Sequence, residues 1–159
     1  MNPLNYDDLQ EIVLRLLVAT VIGAILGIDR DIHKKPAGLR VLALVSLGAC
    51  LITVCSLAAV AEEGKNAAEA TLRVVQGIIG GIGFLGGGVI LRSSRSDEVH
   101  GLTTATSIWV SAALGTSCGL GQWRVALIGF VVAMIVLWIG HPIERAIIRR
   151  FGLNDVTKP

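Results

Sequence analysis

Apolar residues occur along this chain in long runs rather than in alternation, and those runs set its elements. A helix needs about 20 mostly apolar residues to cross the hydrocarbon of a bilayer. Five stretches reach or approach that length: 9–28, interrupted only by Arg15; 39–61; 72–91, bracketed by Arg73 and Arg92; 103–122, small and hydroxyl-rich; and 124–140. The pattern predicts an all-α, polytopic membrane protein, a bundle of about five transmembrane helices. The last two stretches meet around Gly121 and Gln122, which fits either a tight antiparallel pair or one broken helix. Residues 1–142 read as the membrane domain and 143–159 as a short basic tail. In that tail Ile143, Ile147 and Ile148 stand among Glu144, Arg145, Arg149 and Arg150, the pattern of an interfacial helix. Such a helix would anchor to anionic lipid or dock a partner.

Composition narrows the picture. The 159 residues are 53% hydrophobic and 16% charged, whereas soluble domains carry about a quarter charged residues. Aromatics are 4% and glycines number 19, so the apolar excess is aliphatic and small, which suits closely approaching membrane helices. A net charge of +2 without a basic, aromatic-interleaved run argues against nucleic acid. The start is acidic, with Asp7, Asp8 and Glu11, and the first apolar run outlasts that of a signal peptide. It is therefore expected to be a retained span. Cys50, Cys55 and Cys118 fit neither a zinc nor a disulfide pattern and read as small packing residues. His33, His100 and His141 lie too far apart in sequence to suggest a metal site. There is no Walker loop, HExxH or Ser/His/Asp order, so neither an enzyme nor a cofactor is expected.

Basic residues near membrane ends favour the cytoplasm. With five spans, one side collects Arg30, Lys34, Lys35, Arg40, Arg92, Arg95, Arg145, Arg149, Arg150 and Lys158. The other holds Lys65, Arg73 and Arg124, with Arg15 inside the first span. The expected orientation places the N-terminus outside and the C-terminus in the cytoplasm. The acidic, alanine-rich segment 62–71 then reads as an external loop.

Candidate chemistry lies in four places. The third stretch holds Gly77, Gly80, Gly81, Gly83, Gly86, Gly87 and Gly88. Gly81, Gly83 and Gly86 match a dinucleotide fingerprint, but its strand-and-helix context is missing. Gly77/Gly81 and Gly83/Gly87 are small-xxx-small pairs. They fit close helix packing, or else a broken helix whose free carbonyls line a polar cavity. The first stretch repeats the spacing in Ala19, Gly23 and Gly27, with Glu11 and Arg15 one turn apart. Arg15 is expected to pair with Glu11 and snorkel to the outer interface. Asp29, Arg30 and Arg40 crowd the first loop and read either as a functional cluster facing the bundle or as interfacial ion pairs. Thr103, Thr104, Ser107 and Ser111 form a hydroxyl stripe on the fourth stretch. It would bond to helix carbonyls or line a path for an ion or small solute. Trp109 is expected to pack inside the bundle.

Taken in order, these motifs resemble the MgtC/SapB family of bacterial inner-membrane proteins. The carrying residues are Gly27-Ile28-Asp29-Arg30, Ala37-Gly38-Leu39-Arg40, Arg73 to Gly77, Gly81 to Ile90, and Val99 to Thr106 with Trp109. The resemblance implies a multi-pass inner-membrane protein of about five helices. It also implies association with magnesium limitation, acid stress, intracellular survival and virulence. The best-known member is thought to restrain the ATP synthase rather than to transport magnesium. The family pattern has a Glu-Arg pair where this chain has Asp29-Arg30, and often a Thr-His pair where it has Val41-Leu42. Many members continue into a soluble C-terminal domain, so the chain reads as a short member. The expected polar cluster is Asp29, Arg30, Arg40, Arg73, Arg92, Thr103, Thr104 and Ser107. The expected packing residues are Gly23, Gly27, Gly77, Gly81, Gly83, Gly87 and Trp109. The expected action is non-enzymatic, through helix contacts with a membrane partner such as ATP synthase; a second reading is an oligomeric transporter or channel subunit. The expected partners are the lipid bilayer and a second copy in a homo-oligomer, favoured as a dimer.

Overall fold

Five helices form: α1 (Leu9–Ile32), α2 (Leu39–Glu63), α3 (Ala67–Arg92), α4 (Leu102–Gly119) and α5 (Trp123–Phe151). The computed structural model describes residues 9–63, 67–92 and 101–151, and side chains within 9–59, 68–90 and 101–140. The expectations placed on Asp7, Asp8, Lys65, Arg95, His100 and Lys158 fall outside the described residues. So do those placed on the side chains of Glu62, Glu63, Arg92, His141 and the tail.

Four helices, α1, α2, α3 and α5, are long and apolar enough to cross a membrane. The fourth is different. Seven of its 18 residues are Ser or Thr, and it lies at the centre of the bundle, packed against all four others. Ten of its residues are buried. The apolar helices thus form a sheath around a polar one. This arrangement satisfies the rule that polar groups at membrane depth face protein. Large apolar side chains of α1, α2, α3 and α5 remain exposed, among them Leu17, Leu44, Phe84 and Ile128, as a bilayer-facing surface requires.

Two apolar clusters hold the sheath to the centre. Ala19, Cys50, Val54, Cys118 and Ala126 pack near one end, with Trp123 against them. Leu26, Leu42, Ile108 and Leu114 pack near the other. The buried Cys50 and Cys118 are free thiols. Close approach depends on glycine. A Cβ on Gly23 would lie 2.5 Å from the Leu42 carbonyl oxygen, and one on Gly119 would lie 2.7 Å from Thr53 Cβ. One on Gly115 would overlap the Ser46 carbonyl oxygen. In this way α1 and α4 both press on the backbone of α2.

The third helix is continuous from Ala67 to Arg92, so its glycines do not break it. Nor do they pack closely within the chain. Among the described residues no neighbouring atom lies within 4 Å of a Cβ built on Gly77, Gly80, Gly81, Gly83, Gly87 or Gly88, whereas one on Gly86 would meet Ala105. Gly77/Gly81 and Gly83/Gly87 therefore differ from Gly23 and Gly27, which do meet α2 and the loop before it. Past Pro142 the chain runs on as helix to Phe151, so no break in the helix separates the fifth span from the expected tail up to that residue.

The α4–α5 junction is a turn and not a broken helix. Gly121 sits at φ +68°, where a Cβ would lie 2.7 Å from Arg15 Nη2. The left-handed region costs an L-residue about 1–2 kcal/mol, and the buried guanidinium leaves no room. Gly121→Ala is expected to lower the thermal midpoint in detergent clearly. Gly140→Ala, in open space, is expected to leave it unchanged.

Candidate functional site

Arg30 organises the polar end of the bundle. It closes a buried stripe on α1 made of Arg15, Ala19, Gly23, Leu26, Gly27 and Arg30, spaced as one helix face. The side chain is 2% exposed. Its Nε and Nη2 donate to the Pro36 carbonyl, each at 3.2 Å. Its Nη1 donates to the Ser107 hydroxyl at 3.1 Å and the Thr103 carbonyl at 3.4 Å. Its Nη2 also donates to the Thr104 hydroxyl. One guanidinium thus ties α1, the α1–α2 loop and the first turn of α4 together. Among the described residues no carboxylate pairs with it within salt-bridge distance.

The loop that Arg30 grips is tight. Lys34 and Ala37 adopt φ of +52° and +58°, a conformation that disfavours residues with a Cβ. Asp31 closes it from the other side, accepting from the Leu39 N–H at 2.9 Å and so satisfying a first-turn donor of α2. A Cβ on Gly38 would strike that Asp31 carboxylate, which explains the small residue there. Asp29 is the more buried of the two carboxylates, with His33 Nδ1 3.6 Å from its own.

Two cavities border this cluster. One, of about 240 Å³, is lined by Asp29, Arg30, His33, Lys35 and Thr103 with Val136, Leu137 and Gly140 of α5. The other, of about 700 Å³, lies between α2, α3 and α4 and includes Lys35, Gly101, Thr103 and Thr104. The N-cap of α4, Gly101, makes no side-chain capping bond.

The structure brings together Asp29, Arg30, Thr103, Thr104 and Ser107 from the expected cluster. It sets Arg40 on the surface. Arg73 is also exposed, paired with Glu69 at 2.7 Å, towards the other end of α3. Arg92 ends that helix. Trp109 is 49% exposed, so it faces outward instead of packing in the bundle; the inner face of α4 is taken by Thr104, Ser107, Ile108 and Ser111. Leu42, at the Val41-Leu42 departure from the family pattern, is a core residue, and its carbonyl accepts from the Ser111 hydroxyl at 2.8 Å. Other hydroxyls of the stripe bond back along α4: Ser107 to Thr103 and Thr116 to Ala112.

Arg15 is, with Trp109, a residue that sequence reasoning placed wrongly. It pairs with Glu11 at 2.9 Å as expected, but it is fully buried and does not snorkel. Its Nη1 donates to the Gly119 carbonyl at 2.8 Å, at the C-terminus of α4. A cation there is favoured by the helix dipole. Its Nη2 is buried and, among the described residues, makes no hydrogen bond. A usable signal was present: Arg15, Ala19, Gly23 and Gly27 are spaced by four, so the small-residue stripe extends onto the arginine.

The MgtC family pattern matches residues 16–146, which contain both ends of the α1–α4 clasp apart from Arg15. The chain belongs to the MgtC family. It is 40% identical to Protein SrpB of Synechococcus elongatus over 129 residues, 77% of this chain and 71% of SrpB. It is 34% identical to Protein SapB of Bacillus subtilis over 160 residues, 93% of this chain and 68% of SapB. It is 38% identical to Protein MgtC of Salmonella typhimurium over 122 residues, 77% of this chain and 49% of MgtC. The chain thus aligns with about half of MgtC's length. No solved structure matches. Family and apolar helices together make this a multi-pass protein of the bacterial inner membrane.

Proposed function

We propose that this MgtC-family protein acts without catalysis, through helix contact with a membrane partner such as ATP synthase, in adaptation to magnesium limitation, acid or life inside a host cell. The observation that carries this reading is the outward face of α3. Gly80, Gly83 and Gly87 lie along one side of that helix with nothing against them among the described residues. Glycine in a helix costs roughly 0.5–1 kcal/mol relative to alanine, and the return for several of them is close backbone approach by another membrane helix. The interior supports the reading too. Ser111 and Thr116 are buried, and the Ser111 hydroxyl donates to an α2 carbonyl, which favours a packed scaffold over a solute path.

The same reading places the N-terminus outside and the C-terminus in the cytoplasm, with residues 1–142 as the membrane domain and 143–159 as a basic tail at the inner surface. It also allows a homodimer on the α3 face when the partner is absent.

The test uses cross-linked membranes. The parent chain is expected to retrieve ATP synthase subunits and to slow ATP-driven proton pumping in inverted vesicles. Gly83→Leu is expected to cut that recovery roughly tenfold, about 1.4 kcal/mol of contact energy, while the protein stays folded. A saturable flux through liposomes of the purified protein, lost on Thr104→Val, would replace this reading with the transporter.

A further inference from the structure

A groove on another side of α3 has a shape and chemistry of its own, and it does not depend on the partner reading. Gly77 and Gly83 are six residues apart, roughly 240° around a helix, so Gly77 and Gly81 face away from the partner side. They face α2. There they line an apolar cavity of about 630 Å³, running from Val41 to Ile52 on α2 and from Val74 to Leu85 on α3. The glycines create its width: Gly48, Gly77 and Gly81 have no atom within 4 Å of an added Cβ. This cavity continues into the 700 Å³ one described above, since Val41, Val45 and Leu85 line both. The joint groove is aliphatic along its length and polar at one end only, where Lys35, Thr103, Thr104 and the start of α4 meet; among the described residues no side chain caps that start.

We propose that this groove holds one acyl chain of an anionic phospholipid, with the phosphate at Lys35 and the α4 N-terminus. Its length identifies the occupant. Val41 to Ile52 spans 11 residue steps, or about 16 Å of helix. That is about half of a hydrocarbon core of roughly 30 Å, the depth of a single leaflet. A transmembrane helix of a partner needs the whole thickness, and the groove does not offer it: Thr71, beyond Val74, is buried. The charge fits as well. Lys35 lines the polar end, and of the two carboxylates near it in sequence Asp31 accepts from the Leu39 N–H and Asp29 lies beside His33. The helix dipole of α4 adds partial positive charge at the same place. The walls carry only aliphatic side chains and glycine between Val41 and Leu85, so nothing there would fix a peptide's register by hydrogen bonds.

The experiment is native mass spectrometry of the intact protein released from nanodiscs. The nanodiscs hold phosphatidylglycerol and phosphatidylcholine of equal chain length. The parent is expected to retain one phosphatidylglycerol per protomer in preference to phosphatidylcholine, and inorganic phosphate is expected not to displace it. Gly81→Leu, which fills open space with a good helix former, is expected to abolish retention of both lipids without loss of folded protein. Lys35→Gln is expected to weaken the preference roughly tenfold while leaving phosphatidylcholine unchanged. Retention without headgroup preference, or retention unaffected by Gly81→Leu, would overturn the proposal. Displacement by inorganic phosphate would do the same, reducing the site to an anion pocket. A change in oligomeric state on Gly81→Leu with lipid retention intact would also overturn it and assign the groove to a second copy of the chain.

Discussion

Arg30→Lys and Arg30→Ala are both expected to leave little folded protein. The guanidinium serves Pro36, Thr103, Thr104 and Ser107 at once from a fully enclosed position. Lysine keeps the charge but presents a point donor on a flexible stem, and cannot reproduce the planar fork. Alanine leaves two buried hydroxyls, of Thr104 and Ser107, without this donor, at about 1–3 kcal/mol each. The expected loss is about 3–5 kcal/mol, a large share of the roughly 5–15 kcal/mol that holds a typical domain together. Size-exclusion profiles and thermal midpoints in detergent measure it. Arg40→Ala is the control, because Arg40 is exposed; its effect is expected within about 0.5 kcal/mol. If Arg30→Lys kept the midpoint of the parent, Arg30 would not be the tie between α1, the loop and α4.

Gly115→Ala is expected to be comparably damaging, although it adds one methyl group. The new Cβ would fall on the Ser46 carbonyl oxygen, and neither backbone can yield without separating α2 from α4. Overpacking of this kind costs about 1–3 kcal/mol and sometimes more. Backbone-to-backbone contact puts Gly115 at or above the top of that range, about 3 kcal/mol. The same substitution at Gly88, where nothing lies within 4 Å, is expected to be neutral or to gain about 0.5–1 kcal/mol from helix propensity. Denaturant titration of the two variants side by side separates packing glycines from surface glycines. A similar midpoint shift in both would remove the distinction drawn here.

The contrast between those glycines also marks how far the sequence could be read. Helix number, order and approximate ends followed from apolar runs, because a bilayer demands about the same length from every span. The Ala19, Gly23 and Gly27 face was legible because the spacing by four is a property of one helix. Which neighbour each glycine meets was not. Gly77/Gly81 and Gly23/Gly27 have the same spacing, yet the second pair touches α2 and its loop while the first borders open space. That difference is tertiary. Asp29, Arg30, Thr103 and Thr104 were picked out by motif, but the bonds from Arg30 to Thr104 and Ser107 join residues more than 70 apart in sequence. Arg40 and Arg73 carry the same charge and motif standing as Arg30, and burial alone separates them. Trp109 misled because depth along a helix says nothing about the side it faces.

Two arginines on the first helix hold the two ends of the fourth: Arg30 at Thr103, Thr104 and Ser107, and Arg15 at Gly119. This has a consequence for biogenesis. With seven hydroxyl residues in 18, α4 is a poor candidate for stable residence in lipid by itself. Its polar face becomes tolerable once α1 and α2 supply guanidinium donors and a carbonyl acceptor. The order of synthesis provides for this, since α1 to α3 leave the ribosome before α4 does. The first helix therefore serves the fourth as an intramolecular chaperone, and damage to α1 should surface as failure of α4 to integrate.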